Sequence, residues 1–312
     1  MNRNQRPPKI SVITPSFNQG EFLETAVRSV LDQGYPDLEY LIVDGGSGDS
    51  SVEIIKRYEE HLAWWVSERD NGQTHAINKG FRRATGDLVA WLNSDDFYLP
   101  RAFDFAAQAW MNHPDAGLYI GNGWMVDKQG KPLRPYSNGV GFDVETLLHG
   151  QCYILQPSVF INRKVLEAVG LLDESLHYEM DVEYWLRAGR EFDVVVMDEP
   201  LSAYRWYEEI KTSTGGIERW IESRSIRRRW TDRDLTPGLL VELLLTLKNP
   251  AVQKSLGMDL GEPLEKTYRE AYKQAQRVLR VKDNIPVGRG ITFRPDKSLS
   301  FAVKPQSSPS TP

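Results

Sequence analysis

The chain is poor in cysteine, in net positive charge and in long apolar runs, and each shortage excludes something. Cys152 is the only cysteine among 312 residues. No disulfide within the chain is therefore possible, and this usage is compatible with a reducing compartment. The formal net charge is −5, which gives no electrostatic case for nucleic acid as the main partner. The opening MNRNQRPPK is polar and lacks the apolar core of a signal peptide. No apolar run approaches the roughly 18 to 20 residues that span a bilayer. The longest, GLLVELLLTLKNP, is too short, contains Glu242, and reads as a buried helix. The expectation is a cytoplasmic protein, with peripheral attachment at the inner face of a membrane left open. The rest of the composition is that of a globular protein, 40% hydrophobic and 26% charged. The length suffices for one large domain or two smaller ones. No internal repeat is visible.

The first half alternates strand and helix patterns. KISVITP is a β-branched run ended by proline. In EFLETAVRSVLDQG, Phe22, Leu23, Ala26, Val27, Val30 and Leu31 recur at helical spacing and Gly34 closes the helix. LEYLIVDGGSGDS is a second strand running into a glycine-rich turn, with Ser50 or Ser51 able to cap the helix VEIIKRYEEHL. AWWVSE is a third strand, THAINKGFRRATG a helix, and DLVAWLN a fourth strand. Strands separated by helices of this length predict βαβ units and a parallel sheet. Ligands of such sheets sit beyond the C-terminal strand ends. Those ends are TPSFN, DGGSGD, SERDNG and NSDD, so one edge collects four polar clusters. Further on, a hairpin is expected around DKQGK. PSVFINRKVLEAVG reads as a strand and a helix closed by Gly170, and MDVEYWLRAGRE as a helix. FDVVVMDEPLSAYRW reads as strands broken by Pro200.

From about Thr214 the character changes. IERWIESRSIRRRW is helical and basic, and Leu264, Tyr268, Ala271, Tyr272, Ala275, Val278 and Leu279 make a helical stripe. KPQSSPSTP has the composition of a disordered tail.

The stretch VAWLNSDDFYLP drives an apolar strand into two adjacent carboxylates. Like charges repel, and burying them is costly unless something positive neutralises them. A surface turn is one reading, since Asn-Ser-Asp-Asp is good turn chemistry. A metal and phosphate site is the other.

Three stretches carry a resemblance that decides between them. They are ISVITPSFNQGEFLETAVRSVLDQGYPDLEYLIVDGGSGDSS, NKGFRRATGDLVAWLNSDDFYLP and LDESLHYEMDVEYWLR. Together they span about Lys9 to Thr212 and closely resemble family 2 glycosyltransferases. The resemblance implies a GT-A fold of α/β class: a Rossmann-like mixed sheet flanked by helices, to which a C-terminal helical appendix is added here. It also implies a hexosyltransferase-type inverting enzyme, a sugar-nucleotide donor (UDP favoured), a glycan or glycolipid acceptor and a divalent Mn²⁺ or Mg²⁺ ion. The setting it implies is cell-surface polysaccharide synthesis. The expected organisation is a transferase domain over 8–214, a helical extension over 215–285 and a flexible tail over 286–312.

The resemblance also assigns roles. Asp95 and Asp96 match the DXD-like metal motif, with Asp96 the direct ligand and Asp95 contacting the metal through water or the donor sugar. Pro15, Ser16, Phe17 and Asn18 match the loop along the nucleotide. Asp44 matches an acid that accepts hydrogen bonds from base or ribose, which suits an acceptor-only carboxylate; the second acid of that pattern is here Gly45. Asp70 and Asn78 match positions near the nucleotide, with loop and helix-cap roles equally open. Asp181 matches the general base, which takes the acceptor hydroxyl's proton during in-line displacement; the acid that commonly precedes it is here Met180. Gln156 and Pro157 border the acceptor side. Trp185, one turn beyond Asp181, is read either as a stacking platform or as core. Many relatives carry a metal-ligating histidine where this chain has Tyr207, and Arg205 and Lys211 are read as diphosphate contacts on a closing loop. His75, His149 and His177 are isolated and read as structural. The basic SIRRRWTDR is read as a solvated helix face or as a contact with acidic lipid headgroups.

Two rivals are weighed. A nucleotidyltransferase would carry a glycine-rich basic loop after the first strand, and TPSFNQG has no Lys or Arg. A non-catalytic sugar-nucleotide-binding scaffold would not need both Asp96 and Asp181.

Overall fold

The computed structural model describes residues 6–137 and 141–255, together with Lys266, Thr267, Glu270 and the strand 290–293. The helical stripe from Leu264 to Leu279 lies outside the described residues, and so does the expected tail over 286–312 except for 290–293, which is a strand rather than a flexible segment.

The first four strands are β1 (Ile10–Ser16), β2 (Leu38–Asp44), β3 (Trp64–Ser67) and β4 (Leu88–Trp91). They are mutually parallel, as their pattern predicts. Between them run α1 (Gly20–Leu31), α2 (Ser51–Arg57) and α3 (Gln73–Arg83). The register pairs Ser16 with Asp44, Asp44 with Ser67, and Ile13 with Trp91. The four polar strand ends therefore do share one edge of the sheet.

Beyond β4 the sheet becomes mixed. The remaining strands are β5 (Phe97–Tyr98), β6 (Leu118–Val126), β7 (Pro132–Tyr136), β8 (Val159–Asn162), β9 (Val194–Arg205) and β10 (Gly290–Phe293). The order is β10-β9-β6-β8-β4-β1-β2-β3, with β8 antiparallel to both β4 and β6. The expected hairpin is β6–β7, antiparallel around 127–131. Pro200 does not break its strand, contrary to the sequence reading. β9 runs through it, and the pairing with β6 absorbs the missing N–H by register shifts around Asn122.

Alternation places the core on both faces of the sheet. Ile13, Leu41, Val43, Val89 and Trp91 point to one side, and Ile10, Val12, Tyr40, Ile42, Leu88 and Ala90 to the other. α1, α2 and α4 (Ala102–Asn112) cover the second side. α3, α5 (Val144–His149), α6 (Arg163–Val169) and α7 (Met180–Glu191) cover the first. Gly80 lets α3 close on β1, since a Cβ there would lie 2.5 Å from Ile13 side-chain carbons.

The C-terminal part contributes α8 (Lys211–Thr214), α9 (Gly216–Arg228), α10 (Pro237–Lys248) and α11 (Pro250–Ser255). The basic run in α9 is neither free nor uniformly solvated. Arg227 is fully buried, donating to the Leu148 and Gly150 carbonyls and facing Glu242 at 3.5 Å. Arg224 and Arg228 pair with Asp234, and Arg229 with Asp173. A lipid contact through these arginines would have to displace acids of the chain itself. α10 is only partly buried, with Leu239 and Val241 inside and Leu245 exposed. No helix among the described residues is long and apolar enough to cross a membrane. The division at 214/215 is a proposal about chain organisation, and it is crossed by contacts from Arg219 to Glu179, Arg227 to the Leu148 and Gly150 carbonyls, and Arg229 to Asp173.

Candidate active site

The aspartate pair lies where β4 ends. Asp96 is buried: its Oδ1 accepts the Arg205 backbone N–H at 3.0 Å, while its Oδ2 has no hydrogen-bond partner. Asp95 is half-buried and accepts the Tyr207 hydroxyl at 2.9 Å. Burial, and then the Asp95 charge, hold the Asp96 carboxyl well above the usual carboxylate range. Asp95 is also raised by burial, against the pull of the Tyr207 hydrogen bond. An unpartnered buried carboxylate oxygen is expensive, and its chemistry fits a cation ligand. The pair suits a hard divalent ion that takes one or two carboxylates and completes its shell with phosphate oxygens. Among the described residues no cluster of three His, Cys, Asp or Glu surrounds it. Tyr207, at the position of the expected histidine, instead holds Asp95.

Arg205 is not on a closing loop. It ends β9, is buried, and its guanidinium lies 5.1 Å from the ring centres of both Phe22 and Phe97. Its charge opposes those of Asp95 and Asp96 from inside the fold. Lys211 opens α8, and its Nζ donates to Gln73 at 2.9 Å. Burial lowers its pKa to about 8, against the Glu222 and Asp181 charges.

The loops after β1 and β2 interlock. Asn18, at φ 52°, donates its N–H to Ser47 and accepts from the Gly48 N–H. Pro15 and Ser16 are buried behind it, and the Phe17 ring is 60% exposed, a free apolar face at the strand ends. Gly45 explains the missing second acid: a Cβ there would meet Asp70 Oδ2 at 2.9 Å and the Phe17 ring at 3.2 Å. Asp70 thus brings its carboxylate over the glycine, and its other oxygen accepts the Gly72 N–H. Asp44 is fully buried and already engaged. It accepts from the Gly46 and Ser47 N–H groups and from the Ser47 and Ser67 hydroxyls. A ligand would have to exchange one of these bonds. Asn78 lies away from the loops, clamping α3 to Leu172 and Glu174 with three hydrogen bonds.

On the other wall, Asp181 stands in the first turn of α7 and accepts its neighbour Val182's N–H at 2.8 Å. Burial and then the Glu179 charge raise it to about 6. Trp185 is no sugar platform: it is fully buried and stacked on Trp91, centroids 5.3 Å apart at 16°. Gln156 sits between the walls. Lys211 donates to Gln73, Gln73 to Asn93, Asn93 to Gln156, and Gln156 to the Trp91 carbonyl. That chain links Lys211 of α8 to the loop carrying the aspartates.

Sequence reasoning missed Gln73, Asn93, Glu179, Arg219 and Glu222. Only Glu179 gave a signal, as an acid two residues before Asp181.

The sequence model described as Glycosyl transferase family 2 matches residues 11–169. A putative teichuronic acid biosynthesis glycosyltransferase of Bacillus subtilis, TuaG, is 36% identical over 129 residues, 40% of this chain and 51% of that one. The S. aureus TarS fragment 1–349, solved with UDP-GlcNAc, superposes with TM-score 0.62 at 18% identity, over 86% of this chain and 80% of that one. The Pyrobaculum calidifontis mannosyltransferase PcManGT, solved with GDP-Man and Mn²⁺, superposes with TM-score 0.56 at 19% identity, over 90% and 89%. These two likenesses show the fold, which is GT-A. With half its length inside the family's match and the fold to go with it, the chain belongs to glycosyl transferase family 2.

Proposed function

We propose an inverting, metal-assisted hexosyltransferase that moves a sugar from a nucleoside diphosphate, with a UDP-sugar favoured, to a hydroxyl of a glycan or glycolipid. Assembly of a cell-surface polysaccharide is the setting. The observation that carries this is Asp96, a buried carboxylate with one oxygen unpartnered at the C-terminal end of β4. A hydrogen-bonded chain connects its loop to Lys211, which feels the Asp181 charge.

The residues divide the work. The Phe17 ring offers a face to a nucleobase, and Asp70 offers a carboxylate beside it. Asp96 and Asp95 would hold Mg²⁺ or Mn²⁺, which neutralises the negative charge that develops on a leaving diphosphate. Asp181 accepts the proton of the acceptor hydroxyl as that oxygen bonds to the anomeric carbon and the bond to diphosphate breaks. A carboxylate near 6 is ionised at neutral pH and a better base than an ordinary one. UDP-GlcNAc in TarS supports the uridine donor, GDP-Man and Mn²⁺ in PcManGT support the metal, and TuaG supports the polysaccharide setting.

The test is a thermal-shift screen of UDP-, dTDP- and GDP-sugars, each with and without Mn²⁺, on wild type and Asp96→Ala. One nucleotide should stabilise by about 3 kcal/mol at a hundredfold excess over Kd, with the metal-dependent part gone in Asp96→Ala. No shift with any sugar nucleotide would overturn the donor site.

A further inference from the structure

Helix α9 grips the segment on which Asp181 stands, and both lie beyond the family match, which ends at residue 169. The Glu222 carboxylate accepts three consecutive backbone N–H groups: His177 at 2.7 Å, Tyr178 at 2.6 Å and Glu179 at 2.7 Å. One turn earlier on the helix, Arg219 Nε donates to Glu179 Oε1 at 2.8 Å. Glu179 is only 2% exposed, and its Oε2 is buried with no hydrogen-bond partner. A fold that buries a half-satisfied carboxylate two residues before its base bears a cost that packing alone does not explain.

We propose that Glu179 and Arg219 are a positioning pair for Asp181, acting on it with opposed charges, Glu179 from the start of α7 and Arg219 from α9. This rests on the reading of Asp181 as the base. The charge of Glu179 opposes ionisation of Asp181, and that of Arg219 favours it. The other titratable groups around Asp181 are Lys211 of α8, Cys152 and Tyr136 of β7. Burial raises the Cys152 thiol and the Tyr136 phenol, so both stay neutral. Glu242 of α10 faces the Glu179–Arg219 pair rather than Asp181. Lys211 acts with the same sign as Arg219, from α8. The pair therefore supplies opposed charges from one place: Glu179 makes Asp181 a stronger base, and Arg219 keeps it ionised at neutral pH.

The test follows the Asp181 carboxyl itself, by carbon-13 NMR of full-length protein labelled at the aspartate carboxyls, with Asp181→Asn assigning the resonance. Glu179→Gln should move its midpoint down and Arg219→Gln should move it up, each by roughly one pH unit. Arg219→Lys, which keeps the charge, should leave it near the wild-type value. Midpoints that stay fixed, or that move in one direction in both variants, overturn the proposal even where both variants lose activity or melt early. The acid limb of kcat against pH should move with the midpoint, while KM for the donor stays put. If Asp181→Asn still transfers sugar, the base reading fails, and the NMR midpoints report on the pair independently.

Discussion

The two edges of this sheet bury carboxylates to opposite ends. Where the strands begin, Glu39 is 8% exposed and accepts from Lys9 at 2.8 Å, the Ser11 hydroxyl at 2.5 Å, and the Thr85 N–H and hydroxyl at 2.6 Å. Burial pushes its pKa up, but these donors outweigh it and bring it down to about 2. Where the strands end, Asp96 and Asp181 are raised, because burial and a neighbouring acid act on them with few donors in opposition. Burial alone therefore says little about a carboxylate. What separates a structural acid from a reactive one is whether the chain completes its hydrogen bonds.

The sharpest break in this comparison is Asp181→Asn. Loss of the base should lower kcat by about 10²- to 10⁴-fold with donor KM nearly unchanged. The same change should stabilise the fold. Asp181 binds its proton more tightly folded than unfolded, so ionising it costs the folded state. The Asp181 contribution to wild-type stability should fall as pH rises from the ordinary 3.8 to about 6 and stay lower above it. At pH 7 the neutral variant should be more stable by up to about 3 kcal/mol. Denaturant titrations at pH 4 and pH 7 check the sign, and equal stabilities at both pH values would contradict it.

Glu39→Ala is the mirror case. It should destabilise by about 3 kcal/mol, the low end for breaking a buried pair, because Lys9 keeps some access to water. Specific activity of the folded fraction should be unchanged. Glu39 is depressed, so its contribution is present above about 4.5 and is lost as pH falls towards about 2. The difference between variant and wild type should therefore shrink across that acid range, and calorimetry at pH 7 and pH 3 would show it.

How much of this was legible in the sequence follows the same division. The strand-end loops could be read because each functional residue sits within a few positions of a strand whose alternation is plain. Ser16, Asp44, Ser67 and the loop after Trp91 had only one edge to share. The wall carrying Asp181 could be read only in part. Asp181 itself was visible, but its surroundings come from Arg219 and Glu222, some forty residues away, through contacts that no local period encodes. Trp185 shows the limit of periodicity: helical spacing put it on a face near Asp181, and the stack on Trp91 put that face in the core. Pro200 misled because a proline in a strand is a breaker unless the partner strand shifts register, and the shift lies in β6. The basic run in α9 is solvated at Arg228 and Arg229, as its pattern suggests, but Arg227 is buried because its partner Glu242 lies on another helix.

The smallest expected effect tests the nucleotide side. Phe17 is the most exposed aromatic ring at the strand ends, and the absence of a Cβ at Gly45 is what lets it lie beside Asp70. Burial of an aromatic face against a base is worth about 1 to 3 kcal/mol by analogy with stacked nucleobases. Phe17→Ala should therefore raise donor KM by roughly five- to a hundredfold. It should leave the fold intact, because the ring contributes little to the core. Gly45→Ala should act in the same direction for a different reason, by pushing Asp70 and the ring apart, and a larger side chain there should act more strongly. If Phe17→Ala lowers kcat with donor KM unchanged, the ring is ordering the cleft rather than holding the base. The strand-end edge would then be less cleanly divided between binding and chemistry than its hydrogen bonds imply.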